Sequence, residues 1–117
     1  MDISCRTEPK SDWAVVTVSG FITTIEECLR FRDYLNNLID KNYLRVGVDI
    51  CDTLFTCSGF CGFLISALQK AQVNKIELSI IVPHDHPLYE MLKTVSMDKV
   101  INFFVSIEEW KKSFEHE

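Results

Sequence analysis

Glycine and proline are scarce in this chain, four and three in 117 residues. The four glycines, Gly20, Gly47, Gly59 and Gly62, fit neither the dinucleotide-binding nor the P-loop spacing, so nucleotide binding by a glycine-rich loop is not expected. Long apolar runs are missing too: none approaches the roughly 20 residues that span a bilayer. The opening MDISCRTEPK has no apolar core of the kind a secretory signal carries. Positive charge is in the minority, with 12 Lys and Arg against 17 Asp and Glu for a net charge of −5. A mildly negative field disfavours phosphate backbones and anionic lipid surfaces. No nucleic-acid partner and no membrane insertion are expected, and the reading is a cytoplasmic protein. Hydrophobic residues at 47% and charged residues at 25% match folded globular chains, not disordered ones.

The five cysteines, Cys5, Cys28, Cys51, Cys57 and Cys61, are odd in number and irregularly spaced. Most lie inside apolar patterns, where a thiol behaves as a small buried hydrophobe. Reduced thiols are the expectation.

What is present is an alternation of two periods. Trp13 to Val18 is rich in β-branched residues and ends at Ser19-Gly20, a strand entering a turn, with Met1 to Cys5 as a candidate edge strand beside it. From Ile25 to Ile39 apolar residues recur at three- and four-residue steps, an amphipathic helix capped by Thr23 or Thr24. Leu44, Val46, Val48 and Ile50 return to the two-residue period of a strand. Phe60, Phe63, Leu64, Ala67, Leu68 and Ala71 form a second helical stripe with Ser58 as its natural N-cap. Ile76 to Val82 reads as a strand stopped by Pro83, Leu88 to Val95 as a short helix, Val100 to Val105 as a short strand, and Ile107 to Phe114 as a last helix capped by Ser106. The order is β-β-α-β-α-β-α-β-α. Helices between strands imply right-handed crossovers, so the fold class is α/β, a mixed sheet of four to five strands with helices packed on it.

Chemistry concentrates at Phe55-Thr56-Cys57-Ser58-Gly59-Phe60, where a strand region meets a helix start. Unpaired N–H groups and the positive helix end suit an anion, including a phosphoryl group on a side chain. From the residues alone the simpler account is preferred, a Ser58 cap and a tight turn at Gly59. A thiol such as Cys57 beside a helix N-terminus can be acidic and nucleophilic. Catalysis would need a base, and all three histidines lie in the last third of the chain. No catalytic residue is expected. Cys57 and Cys61 with Cys51 would supply three metal ligands, one short of a closed tetrahedral site, and no metal or other cofactor is expected. His84-Asp85-His86 between two prolines reads as a stiff turn with Asp85 or His86 near a cap.

These pieces together, Val15-Val16-Thr17-Val18-Ser19-Gly20, Val46-Gly47-Val48-Asp49-Ile50, Cys57-Ser58-Gly59-Phe60-Cys61-Gly62-Phe63-Leu64, Ile80-Ile81-Val82-Pro83, Leu92 to Met97 and Ser106-Ile107-Glu108-Glu109-Trp110, resemble the STAS domain family. That is the fold of bacterial anti-sigma-factor antagonists and of sulfate-transporter tails. The resemblance covers Trp13 to Phe114 and implies one STAS-like domain over residues 1–117. In the family an Asp precedes a Ser or Thr that an anti-sigma kinase phosphorylates. By this resemblance Thr56 stands at the Asp position, Cys57 at the phosphoacceptor position and Ser58 at the second Ser. An Asp shortly after the first strand's glycine is replaced by Thr23 and Thr24.

The resemblance implies a bacterial, protein-binding regulator of the anti-anti-sigma-factor kind in a partner-switching pathway controlling transcription. Its phosphorylation switch would be altered or absent, leaving Ser58 and Thr56 as candidate phosphoacceptors. The implied partner is an anti-sigma factor or related kinase-like regulator, bound by a monomer or dimer. The implied docking surface is Thr23, Thr24, Glu26, Phe55, Thr56, Cys57, Ser58, Gly59 and Phe60. The alternative is a non-phosphorylated STAS scaffold or accessory subunit of a stress-sensing complex or lipid-transport ATPase.

Overall fold

In the computed structural model the described residues are 1–55 and 59–115, the side chain of Phe55 excepted. Five strands form one sheet: β1 (Asp2–Thr7), β2 (Trp13–Phe21), β3 (Arg45–Phe55), β4 (Glu77–Ile81) and β5 (Asn102–Phe104), in the spatial order of the chain. β1 pairs antiparallel with β2, and every later pair is parallel. Four α-helices connect or follow them: α1 (Ile25–Ile39), α2 (Phe60–Val73), α3 (Pro87–Thr94) and α4 (Ile107–Lys112), with a 3-10 turn at Met97–Lys99. The mixed α/β sheet and its element order match the sequence expectation.

The two-residue period of the strands divides the core into two layers. Ala14, Val16 and Val18 of β2, Val46, Val48 and Ile50 of β3, and Leu78 and Ile80 of β4 face one way, against α1, α2 and α3. Trp13 and Val15 of β2 and Ile81 of β4 face the other way, against Trp110 of α4. Trp13 and Trp110 meet edge to face with centroids 5.7 Å apart, the geometry their ring quadrupoles favour. Gly47 lies beneath this contact, because a Cβ there would stand 3.0 Å from Ile81 and 3.1 Å from Trp110.

α1 begins at Thr24, whose hydroxyl accepts from the Glu27 N–H while the Glu27 carboxylate accepts from the Thr24 N–H, a reciprocal capping box. α1 and α2 lie side by side and run in the same direction, as successive crossovers of parallel strands must. Phe31 of α1 stacks on Phe60 of α2 at 5.1 Å between centroids. Farther along, Lys70 of α2 reaches the Asp40 carboxylate at 2.9 Å and the Asn36 carbonyl at 3.3 Å.

β3 is longer than its apolar alternation indicates. Thr17 pairs with Asp49 but Ser19 with Asp52, and Gly20 pairs with Thr53 but Phe21 with Phe55. Each shift puts one extra residue into β3, a β-bulge that resets which side chains face the core. Ile50 and Thr53 are buried while Leu54 is exposed. The extension beyond Ile50 follows from these bulges, which erase the two-residue period used to place the strand's end.

Candidate protein-docking surface

The parallel strands β2 and β3 end at the same edge of the sheet at which α1 and α2 begin. In open α/β sheets this edge is where partners and ligands are received, because loops gather there on a rigid base. Thr53 fixes the base: its fully buried hydroxyl donates to the Val18 carbonyl at 2.9 Å, fastening the bulged end of β3 to β2. Gly20 follows at φ +84°, a left-handed turn that costs a residue with a Cβ about 1–2 kcal/mol. It leads the chain from β2 toward the cap of α1.

Thr23, Thr24 and Glu26 are exposed at the opening of α1. Glu27 binds this corner together. Its carboxylate accepts from the N–H groups of Thr23 and Thr24 at 3.1 and 3.3 Å and pairs with the Met1 ammonium at 3.2 Å. The Thr23 N–H first, then the Met1 ammonium, hold its pKa down to about 2 from the ordinary 4.5.

Three apolar side chains stand out of this surface: Phe21 is 57% exposed, Ile25 75% and Leu54 62%. Ile25 had been read as part of the inner stripe of α1. It occupies the first helical position directly after the cap, before the helix has turned onto the sheet. Leu54 is turned out by the bulges. A signal for both existed in the sequence only as apolar residues beside a cap and beside a break in alternation.

Of the expected docking residues, Phe60 is corrected. It is fully buried and stacked on Phe31, so it belongs to the inner stripe of α2 that its spacing indicated and offers nothing to a partner. Gly59 is half-buried at the N-cap of α2 and makes no side-chain cap bond. The cap position therefore lies one residue after Ser58, the expected one. Thr56, Cys57 and Ser58 fall outside the described residues, as does the side chain of Phe55; the Phe55 backbone pairs with Phe21.

Of the candidate metal ligands, the described Cys51 and Cys61 lie apart. Cys51 packs with the Trp13 and Trp110 layer and Cys61 with the layer of α1 to α3 on the opposite side of the sheet. No group of three or more His, Cys, Asp or Glu side chains suited to a metal occurs among the described residues. Burial, with the neighbouring carboxylates of Asp49 and Asp52, pushes the Cys51 thiol up to about 12, and burial raises that of Cys61. Cys5, Cys51 and Cys61 are free thiols, whereas Cys28 is disulfide-bonded, so the expectation of reduced thiols throughout fails at Cys28. In the last candidate, His84-Asp85-His86, His86 is the cap of α3, its Nδ1 accepting from the Leu88 N–H at 3.0 Å. That is a structural role.

No family model matches the chain and no curated protein matches it. Solved structures do. An anti-sigma factor antagonist from Mycobacterium paratuberculosis superposes with a TM-score of 0.79 at 13% identity, over 96% of this chain and 93% of that one. The chain has the fold of the anti-sigma factor antagonists. A putative anti-sigma factor antagonist from Thermotoga maritima gives a TM-score of 0.79 at 13% identity, over 95% of this chain and 92% of that one. The phosphorylated form of the Bacillus cell fate determinant SpoIIAA gives 0.72 at 9% identity, over 97% and 100%. The STAS-like architecture read from the sequence is thus matched along almost the whole chain, at identities that speak to fold alone. Among the described residues no helix of this antagonist fold is long and apolar enough to cross a membrane.

Proposed function

We propose that the chain is a bacterial, cytoplasmic regulatory domain spanning residues 1–117, which works by docking on an anti-sigma factor or a related kinase-like regulator. The observation that carries this reading is the exposure of Phe21, Ile25 and Leu54 at the edge where α1 and α2 begin, on a fold shared with anti-sigma factor antagonists. Apolar side chains in water are costly to keep exposed together and mark contact surfaces when rimmed by polar groups. Here the rim is Thr23, Thr24 and Glu26. By the family resemblance the proposed surface also takes in Phe55, Thr56, Cys57, Ser58 and Gly59.

Phosphate on Ser58 or Thr56 would bring about two negative charges to this apolar surface and oppose docking by desolvation. Cys57 at the family's phosphoacceptor position cannot accept phosphate as a serine does, so the usual switch is altered. The thiol is also what favours the second reading, a non-phosphorylated scaffold or accessory subunit. Sedimentation separates the two, because a scaffold forms a defined higher oligomer and a partner-switching domain is a monomer or dimer.

The direct test is capture of host proteins on the immobilised chain, read by mass spectrometry, beside the variants Ile25→Asp and Leu54→Asp. The reading expects a kinase-like or sigma-regulating protein bound by the wild type and lost at least about tenfold by either variant, the size of losing roughly 1.4 kcal/mol of contact. Equal capture by all three proteins would remove the surface from consideration.

A further inference from the structure

The sheet has two lateral edges, β1 and β5, and each leaves a row of backbone N–H and C=O groups without a strand partner among the described residues. Such a row is a template for pairing with another chain, and proteins blunt it with short strands, bulges, lysine or proline. β5 is blunted by its length of three residues. β1 is not. It has six residues, Asp2–Thr7, holds neither lysine nor proline, and pairs residue for residue with β2 from Asp2 opposite Ser19 to Thr7 opposite Ala14, with no bulge. All of its residues except Ile3 are exposed.

The side chains of β1 say what fits this edge. A second copy paired with it about a two-fold axis meets the same surface on both sides. Directly opposed residues of an antiparallel pair share a face, and faces alternate along a strand, so the axis must pass at a residue and not between two. An axis at Ser4 sets Asp2 of each copy opposite Arg6 of the other, and Ile3 opposite Cys5. An axis at Cys5 would oppose Asp2 to Glu8, two like charges, and an axis at Ile3 would oppose Asp2 to Ser4. Charge complementarity therefore selects one register. Neither Asp2 nor Arg6 has an ion-pair partner among the described residues of its own chain, so both are open to one from outside. The other face of β1 agrees. Ile3 and Cys5 stand opposite Val18 and Val16 of β2, on the side of α1. There a hollow of about 210 Å³ is lined by Cys5, Tyr34, Leu38 and Tyr43 among others, and Ile3 of the second copy, opposite Cys5, would stand at its mouth.

We propose that the chain forms a two-fold homodimer by antiparallel pairing of β1 with β1 of a second copy, centred on Ser4, which joins the two five-stranded sheets into one. Alternate residues of each β1 supply the N–H and C=O groups of the new ladder. An Asp2–Arg6 pair closes it at each end. The dimer does not rest on the docking of a regulator, which uses other residues.

The test is sedimentation velocity of the full chain over a range of concentrations, with reductant present so that no disulfide between copies contributes. The wild type should pass from monomer to dimer as concentration rises, and a wild type that stays monomeric up to about 100 μM overturns the proposal. Asp2→Arg and Arg6→Asp each set like charges opposite one another at both ends of the ladder, and each should raise the dimer dissociation constant at least about tenfold. The double variant Asp2→Arg/Arg6→Asp restores both pairs in reverse and should dimerise within about threefold of the wild type. An equimolar mixture of the two single variants should form the mixed dimer for the same reason. Rescue in these two arms separates lost pairing from lost fold. A dimer indifferent to both single substitutions, or a double variant as weak as the single ones, overturns the register and the interface with it.

Discussion

At the scale of single residues, Glu27 and Gly47 do what their sequence context only hints at. Glu27 stands three residues after the Thr24 cap in the sequence, but its pairing with the Met1 ammonium is tertiary. Its folded pKa of about 2 lies below the ordinary 4.5. A depressed carboxylate contributes stability that is present above the ordinary value and is lost as the pH falls through the folded one. Glu27→Gln should therefore lower the melting temperature near neutral pH, with the difference from wild type shrinking between pH of about 4.5 and about 2. A pH-independent difference in thermal melts would show that the charge is not what stabilises the corner. Gly47 sits in a strand interior, normally a weak place for glycine, and the reason is Trp110 packed over it. Gly47→Ala should cost about 1–3 kcal/mol by overpacking, measured by urea denaturation, and an unchanged midpoint would mean that α4 yields without cost.

At the scale of elements, the helices and the first residues of each strand were readable because the 3.6- and two-residue periods reflect one-sided burial. β3 was read short because two bulges are a property of its pairing with β2 and leave no local period to detect. The buried Thr53 hydroxyl was missed for that reason, and with the exposed Leu54 it shapes the docking edge. Ile25 was misread because a helical stripe does not reveal that its first member precedes contact with the sheet. Phe60 was given two roles by sequence, inner stripe and partner surface, and its stack on Phe31 leaves only the first. Phe60→Ala should destabilise the fold by about 3–5 kcal/mol through the cavity it leaves. A loss below about 1 kcal/mol in denaturant unfolding would indicate that α1 and α2 collapse onto one another and close the cavity.

At the scale of the whole molecule, the topology followed from the order of elements alone, since helical crossovers admit few arrangements of a parallel sheet. The match to anti-sigma factor antagonists over nearly the full chain at 9–13% identity reflects how little of a fold depends on particular side chains. Function depends on them more, and by resemblance the chain departs from the family at the phosphoacceptor segment, with Thr56 and Cys57 where an Asp and a hydroxyl would stand. What persists is an edge with a rigid base, two helix starts, a polar rim and three outward apolar side chains. The central claim is that a regulator docks there. Hydrogen–deuterium exchange on the chain with and without its captured partner tests it most directly. Protection confined to residues 20–30 and 52–62 is the predicted result, and protection that instead falls on β1, α3 or α4 would contradict it.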